Sequence, residues 1–273
     1  MSINFKILGE GFPIIILHGW SLDHQTMLNS LEPLFEHRNG WRRIYIDLPG
    51  MGCSKALESI QNADDMLTEI LKFIDEIIPN EPFLVCGYSY GGYLSQGILH
   101  FRKHLVRGMF LFAPVIISDY NKRSLPSHQT LIEDSALISS LSSEELAKFE
   151  PMAVVQGEKE WERFREEILI PSKNANSEYI ERIQQSGYSF TFDIDRDSLA
   201  FDYPVVIITG RQDSIVGYKD TWKLIDYYSR ATFAVLDTAG HNLQIEQSSL
   251  FEALTDNWLE RVEYELSKTG LSV

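Results

Sequence analysis

The stretch Phe83-Leu-Val-Cys-Gly-Tyr-Ser-Tyr-Gly-Gly92 constrains the fold more than any other part of the chain. Phe83 to Cys86 are apolar without a break, the pattern of a strand buried on both faces in a parallel sheet. Gly87-Tyr88-Ser89-Tyr90-Gly91 then fits G-x-S-x-G, and the residues from Tyr93 to Leu99 are compatible with a helix. Strand, sharp turn and helix together make this a nucleophile elbow in outline. So tight a turn strains the serine backbone, and a glycine two residues to either side lets strand and helix approach. The Ser89 hydroxyl would stand above the sheet edge, with the amides and partial positive charge of a helix N-terminus beside it. A serine in an ordinary glycine-rich turn is the alternative. A histidine and an acid elsewhere in the chain decide between the two.

The rest of the chain repeats the same rhythm. Residues 3–8 read as an edge strand. Gly9-Glu10-Gly11 reads as a turn, because no helix start follows to make it a phosphate loop. Further strands are expected at 13–17, 43–46, 108–113, 204–209 and 231–236, and helices at 61–78 and 250–266. Met66, Ile70, Phe73, Ile74 and Ile77 share one face of the first of these helices. After Val115 the buried strands stop, and helical stretches begin at Ser142, 161–168 and 176–185. The pattern predicts an α/β core of residues 1–114 and 201–273, doubly wound and mostly parallel, with residues 115–200 inserted as a helical cap.

Composition narrows the partners. At 273 residues and 44% hydrophobic content, the chain can build one large α/β core. A formal charge of −15 argues against nucleic acid and disfavours anionic membrane surfaces. Residues 131–200 hold fifteen Asp and Glu against seven Lys and Arg, so −8 of the −15 lies there. That segment is either a solvated acidic face or a bias against anionic substrates. Cys53 and Cys86 form no disulfide framework. No basic region followed by an apolar run opens the sequence, and runs such as 14–17 are too short to span a bilayer. The expectation is a cytoplasmic protein acting on a small-molecule substrate. No Cys/His/Asp cluster has metal-ligand spacing, so neither metal nor cofactor is expected.

In open α/β sheets, ligands bind outside the carboxyl ends of the strands. Ser89, Asp213 and His241 all fall at such ends, in the chain order Ser, Asp, His. His241 can take the proton from Ser89 near neutral pH, and Asp213 would hold the imidazole tautomer and stabilise the imidazolium. The backbone amides of Tyr90 and Trp20 would bind the oxyanion.

With these residues in place the sequence resembles the α/β-hydrolase superfamily, in its capped single-domain form. The resemblance rests on Leu17-His-Gly-Trp20, Asp47-Leu-Pro-Gly-Met-Gly-Cys-Ser54, Gly87-Tyr-Ser-Tyr-Gly-Gly92, Gly210-Arg-Gln-Asp213 and Ala239-Gly-His241. It implies an oxyanion amide in the first segment, a structural loop in the second and the triad in the last three. It also implies that His18 supports the oxyanion loop and is not the base. The remaining histidines read as surface or packing residues, and Asp23 and Asp47 as a helix cap and a turn residue. Trp20, Tyr88, Tyr90, Phe112, Trp161 and Tyr218 are candidates for lining an aromatic pocket, although core packing is an equal reading for Trp161 and Tyr218. A serine nucleophile favours acyl chemistry, because relatives that open epoxides or carbon–halogen bonds use aspartate there. The expected activity is hydrolysis of a carboxylic ester with a small neutral acyl group. The alternatives are a carbon–carbon bond hydrolase or lyase of the same fold, and a triad-bearing ligand-perception protein with slow turnover.

Overall fold

A computed structural model describes residues 2–194 and 201–271. The chain opens with β1 (Phe5–Leu8), β2 (Phe12–Leu17), helix α1 (His24–Phe35) and β3 (Trp41–Ile46). Helix α2 (Ala63–Ile77), β4 (Phe83–Tyr88), α3 (Tyr90–Arg102) and β5 (Val106–Phe112) follow. Two short strands, β6 (Ile132–Glu133) and β7 (Val155–Gln156), precede β8 (Val205–Gly210), β9 (Ala231–Leu236) and a closing helix, Ser248–Lys268. The main sheet has seven strands in the order β1-β3-β2-β4-β5-β8-β9, antiparallel only where edge strand β1 meets β3. Every residue of β2, β4 and β8 is buried, as strands covered on both faces require.

Helices flank this sheet in two pairs, α1 with the closing helix and α2 with α3. Asn62 caps α2 by accepting the Asp65 N–H, and Met66, Ile70, Phe73 and Ile74 face the core. The closing helix is anchored by Phe251 and Trp258, each 1% exposed, against Phe110 of β5. Trp258 also donates its indole N–H to the Pro204 carbonyl at 3.0 Å, so burial leaves no polar penalty. Truncating such a ring to alanine costs about 3–5 kcal/mol.

The winding direction reverses at β2. The chain passes outward from β2 to β3, then returns to place β4 on the other side of β2. Such a reversal opens a crevice between the carboxyl ends of the two central strands. Gly19 follows β2 there, and Ser89 follows β4.

Between β5 and β8 most of the regular structure among the described residues is helical. Ser142 and Glu145 form a reciprocal capping box at the start of helix Ser143–Phe149. Helix Glu158–Phe164 runs into a wider turn at Arg165–Leu169, and Asn176 caps helix Ser177–Ser186. The segment rests on the loops that follow β2 and β3 and on helix α3. The Asn176 N–H donates to Gly50 O at 2.9 Å, the Asn174 amide to Asp23 Oδ2 at 2.8 Å and the Phe190 N–H to the Tyr93 hydroxyl at 2.9 Å. One feature departs from the helical expectation: β6 and β7 pair in parallel, Ile132 with Val155 and Glu133 with Gln156. Strands of two residues carry no period for a pattern to reveal. The last six residues of the expected cap, 195–200, lie outside the described residues.

Candidate active site

The elbow is built from glycines. A Cβ on Gly87 would lie 2.4 Å from Ser95 Oγ and 2.5 Å from Gly91 O. One on Gly91 would lie 2.3 Å from the Leu17 carbonyl oxygen, a backbone atom that cannot move aside. Ser89 itself takes φ +52°, the left-handed region that disfavours residues with a side chain. Hydrogen bonds hold it there: its N–H donates to Phe112 O at 3.2 Å, and its carbonyl accepts from Gly92 at 3.0 Å and Val115 at 3.0 Å.

Ser89, Asp213 and His241 meet in space, 7%, 0% and 5% exposed. His241 Nε2 lies 3.0 Å from Ser89 Oγ, and Nδ1 lies 3.0 Å from Asp213 Oδ2. The second oxygen of Asp213 accepts N–H bonds from Ile215 at 2.8 Å and Val216 at 3.0 Å. Burial pushes the Asp213 carboxyl up, but the His241 ring and these two N–H bonds outweigh it and hold the carboxyl below its usual value. An ionised Asp213 takes the Nδ1 proton as a hydrogen bond, which leaves the Nε2 lone pair facing the serine hydroxyl.

Trp20 and Tyr90 flank the serine. Gly19 packs so closely that a Cβ on it would come within 3.2 Å of Ser89 Cβ, and this brings the Trp20 segment against the elbow. The Trp20 ring stands edge-on to Tyr90 at 4.7 Å and to Tyr188 at 5.0 Å. His18 fixes this loop from beneath: Nε2 accepts the Leu48 N–H at 2.9 Å, and Nδ1 then donates to Gly19 O at 2.7 Å. Burial lowers its pKa, so the ring stays neutral as a clamp between two loops.

A cavity of about 890 Å³ opens over Ser89 and His241. Its apolar wall comes from Val115, Met152, Phe164, Ile168 and Leu169, and the rings of Trp20, Tyr88 and Tyr188 also line it. Arg123, Lys148 and Asp119 contribute charge to the same lining. The Arg123 guanidinium donates to the carbonyls of Ile117, Ser118 and Ile215, at 2.7, 3.1 and 2.9 Å, which fixes a cation in the wall. Of the aromatic candidates, Trp20 and Tyr88 line the cavity. Trp161 packs on Phe149 at 5.2 Å, Phe112 stacks on Tyr88 at 4.8 Å, and Tyr218 lies under Arg211 at 4.7 Å. Tyr188 and Arg123 escaped the sequence reading because no motif surrounds them. Among the described residues, no group of three or more His, Cys, Asp or Glu side chains could hold a metal ion, and no helix is long and apolar enough to cross a membrane.

Asp23 is the α1 cap, accepting the Gln25 N–H at 2.8 Å. Asp47 does more than turn the chain. It accepts from the His24 ring and the His24 N–H, both at 2.8 Å, from the Cys53 N–H at 2.9 Å and from the Asn4 amide at 2.8 Å.

Comparison with known proteins agrees with this architecture. The model of the alpha/beta hydrolase fold family matches residues 13–248. A solved alpha/beta superfamily hydrolase from Oenococcus oeni is 34% identical, covers 96% of each chain and superposes with a TM-score of 0.88. The 2-hydroxymuconate semialdehyde hydrolase of Pseudomonas sp. strain CF600 is 22% identical over 272 residues, 95% of this chain and 91% of its own. The pimeloyl-[acyl-carrier protein] methyl ester esterase of Shewanella woodyi is 21% identical over 270 residues, 95% of this chain and 98% of its own.

Proposed function

The chain belongs to the α/β-hydrolase fold family, and on that footing we propose that it is a serine hydrolase of carboxylic esters with Ser89 as nucleophile. The observation that carries this reading is the Ser89–His241–Asp213 relay, with both links at 3.0 Å, opening into an apolar-walled cavity. Cavities of this volume suit small molecules. His241 takes the Ser89 proton as Oγ attacks the acyl carbon, and the N–H groups of Trp20 and Tyr90 receive the oxyanion. His241 then protonates the leaving alcohol. Water, activated by the same imidazole, hydrolyses the acyl-enzyme and regenerates Ser89. Asp213 keeps the proton on Nδ1 and stabilises the imidazolium. Residues 115–200 act as the cap, since they supply most of the acyl wall, and a small neutral acyl group is the substrate that wall favours.

A second reading, cleavage of a carbon–carbon bond next to a carbonyl, has its own support. Arg123 and Lys148 place cations in the lining, where an anionic substrate would be held despite the acidic surface. A relative similar over nearly its full length is named as a hydrolase of 2-hydroxymuconate semialdehyde.

Initial rates on p-nitrophenyl esters of increasing acyl length test the first reading. Ser89→Ala should lower kcat by about 10⁴–10⁶, and the wild type should show an optimum acyl length. Fluorophosphonate labelling of Ser89 without ester turnover favours the second reading, and a Ser89→Ala rate within about tenfold of wild type sinks both.

A further inference from the structure

Glu246 follows His241 by five residues, in the short helix Leu243–Glu246, and its carboxylate joins two distant parts of the chain. Oε2 accepts the N–H of Gly240, the residue just before His241, at 2.6 Å. Oε1 accepts the N–H of Val154 at 2.6 Å and of Val155 at 3.3 Å. Val154 lies two residues beyond Met152, which lines the cavity. Gly240 is tight against the same segment: a Cβ there would sit 2.9 Å from Val154 Cγ2 and 3.2 Å from Met152 O. The loop that carries the imidazole therefore packs directly on the Val154 side chain and the Met152 backbone, with the Glu246 carboxylate bridging the two segments.

We propose that Glu246 is a positioning residue whose carboxylate ties the His241 loop to the Met152–Val155 segment, from which Met152 lines the cavity, so that base and acyl pocket are set together. This rests on the reading of Ser89, His241 and Asp213 as the reacting set. Three N–H donors converge on two oxygens that carry no proton when Glu246 is ionised. A proton on either oxygen puts an O–H among donors and removes the charge that strengthens the three N–H bonds. Burial pushes the Glu246 carboxyl up to about 7, against the pull of the three N–H bonds and with the Asp213 anion adding to the rise. The other titratable or charged groups around it are His241, Tyr88, and the Arg163–Glu167 pair. Arg163 reaches the same short helix by donating to Gln244 O at 2.9 Å. The tie is therefore complete above neutrality, where an ionised Glu246 also adds negative charge near the imidazolium that forms in the reaction.

The test is a pH series of kcat and KM on the best p-nitrophenyl ester, wild type beside Glu246→Gln, with amide hydrogen exchange at Gly240, Val154 and Val155. Glu246→Gln is expected to raise KM and lower kcat, together about tenfold in kcat/KM above pH ~7, because both wall and base shift. It should also remove one protonation from the acid limb and lower exchange protection at the three amides. Glu246→Asp keeps the charge on a shorter arm, so it should retain that protonation without restoring KM. This variant carries the test if Glu246→Gln does not fold. A folded Glu246→Gln with wild-type KM, kcat and acid limb overturns the proposal, even if its melting temperature falls. Absence of both ester turnover and fluorophosphonate labelling in the wild type would instead strike at the Ser89 reading, and the exchange comparison would still decide whether Glu246 makes the tie.

Discussion

Ser89 holds a left-handed backbone that costs on the order of 1–3 kcal/mol for a residue with a Cβ, and its neighbours supply what keeps it there. Asp47 shows the same dependence on surroundings in its charge. Burial would raise its carboxyl, but the bonds from the His24 ring and from the N–H groups of Cys53 and His24 help bring it down from 3.8 to about 2. A depressed carboxyl stabilises the fold fully above its unfolded value and loses that contribution as pH falls toward 2, here about 2 kcal/mol. His24 runs the other way. The Asp47 bond raises its pKa above 6.5, so its share is complete below that value and is lost as pH rises through the folded one. The pair should contribute most at about pH 5–6. Urea unfolding of Asp47→Asn should show a shallower loss of stability between pH ~5 and ~3 than the wild type, and identical slopes would refute this. The sequence marks Asp47 only as a turn residue, because its partners His24, Cys53 and Asn4 converge on it through the fold.

Secondary elements were legible in proportion to the length of their pattern. Helix α2 shows its apolar face over four turns, and β2, β4 and β8 show unbroken apolar runs between glycine or proline punctuation. The capping box at Ser142 and Glu145 marks a helix start from two residues alone. Strands β6 and β7, and the wider turn at Arg165–Leu169, arise from packing between elements and leave no local period. The elbow is the element with least tolerance. Gly91→Ala would drive a Cβ to 2.3 Å from Leu17 O, so strand β2 and helix α3 would have to separate. The expected cost is about 3 kcal/mol or more, read as a fall in the denaturant midpoint together with loss of Ser89 reactivity. A variant of wild-type stability and reactivity would mean that the close approach is dispensable.

At the scale of the molecule, the site exists because distant segments end at one edge of the sheet. Ser89, Asp213 and His241 were legible because each follows a strong strand signal with a short motif, and the chain order of the motifs carries information of its own. Glu246, Tyr188 and Arg123 were not. Their roles depend on how the excursion between β5 and β8 folds back, and Glu246 meets Val154 across 92 residues of sequence. The same fold-back sets the charge of the lining: a chain of net charge −15 presents Arg123 and Lys148, with Asp119, to its cavity. The central claim is that Ser89 is a nucleophile armed by His241. Its most direct test is peptide mapping by mass spectrometry after treatment of the wild type and His241→Ala with a fluorophosphonate. The account predicts a single adduct on Ser89 in the wild type and slower labelling, by at least about a hundredfold, in His241→Ala. No adduct, an adduct on another residue, or equal labelling of the two proteins would contradict it.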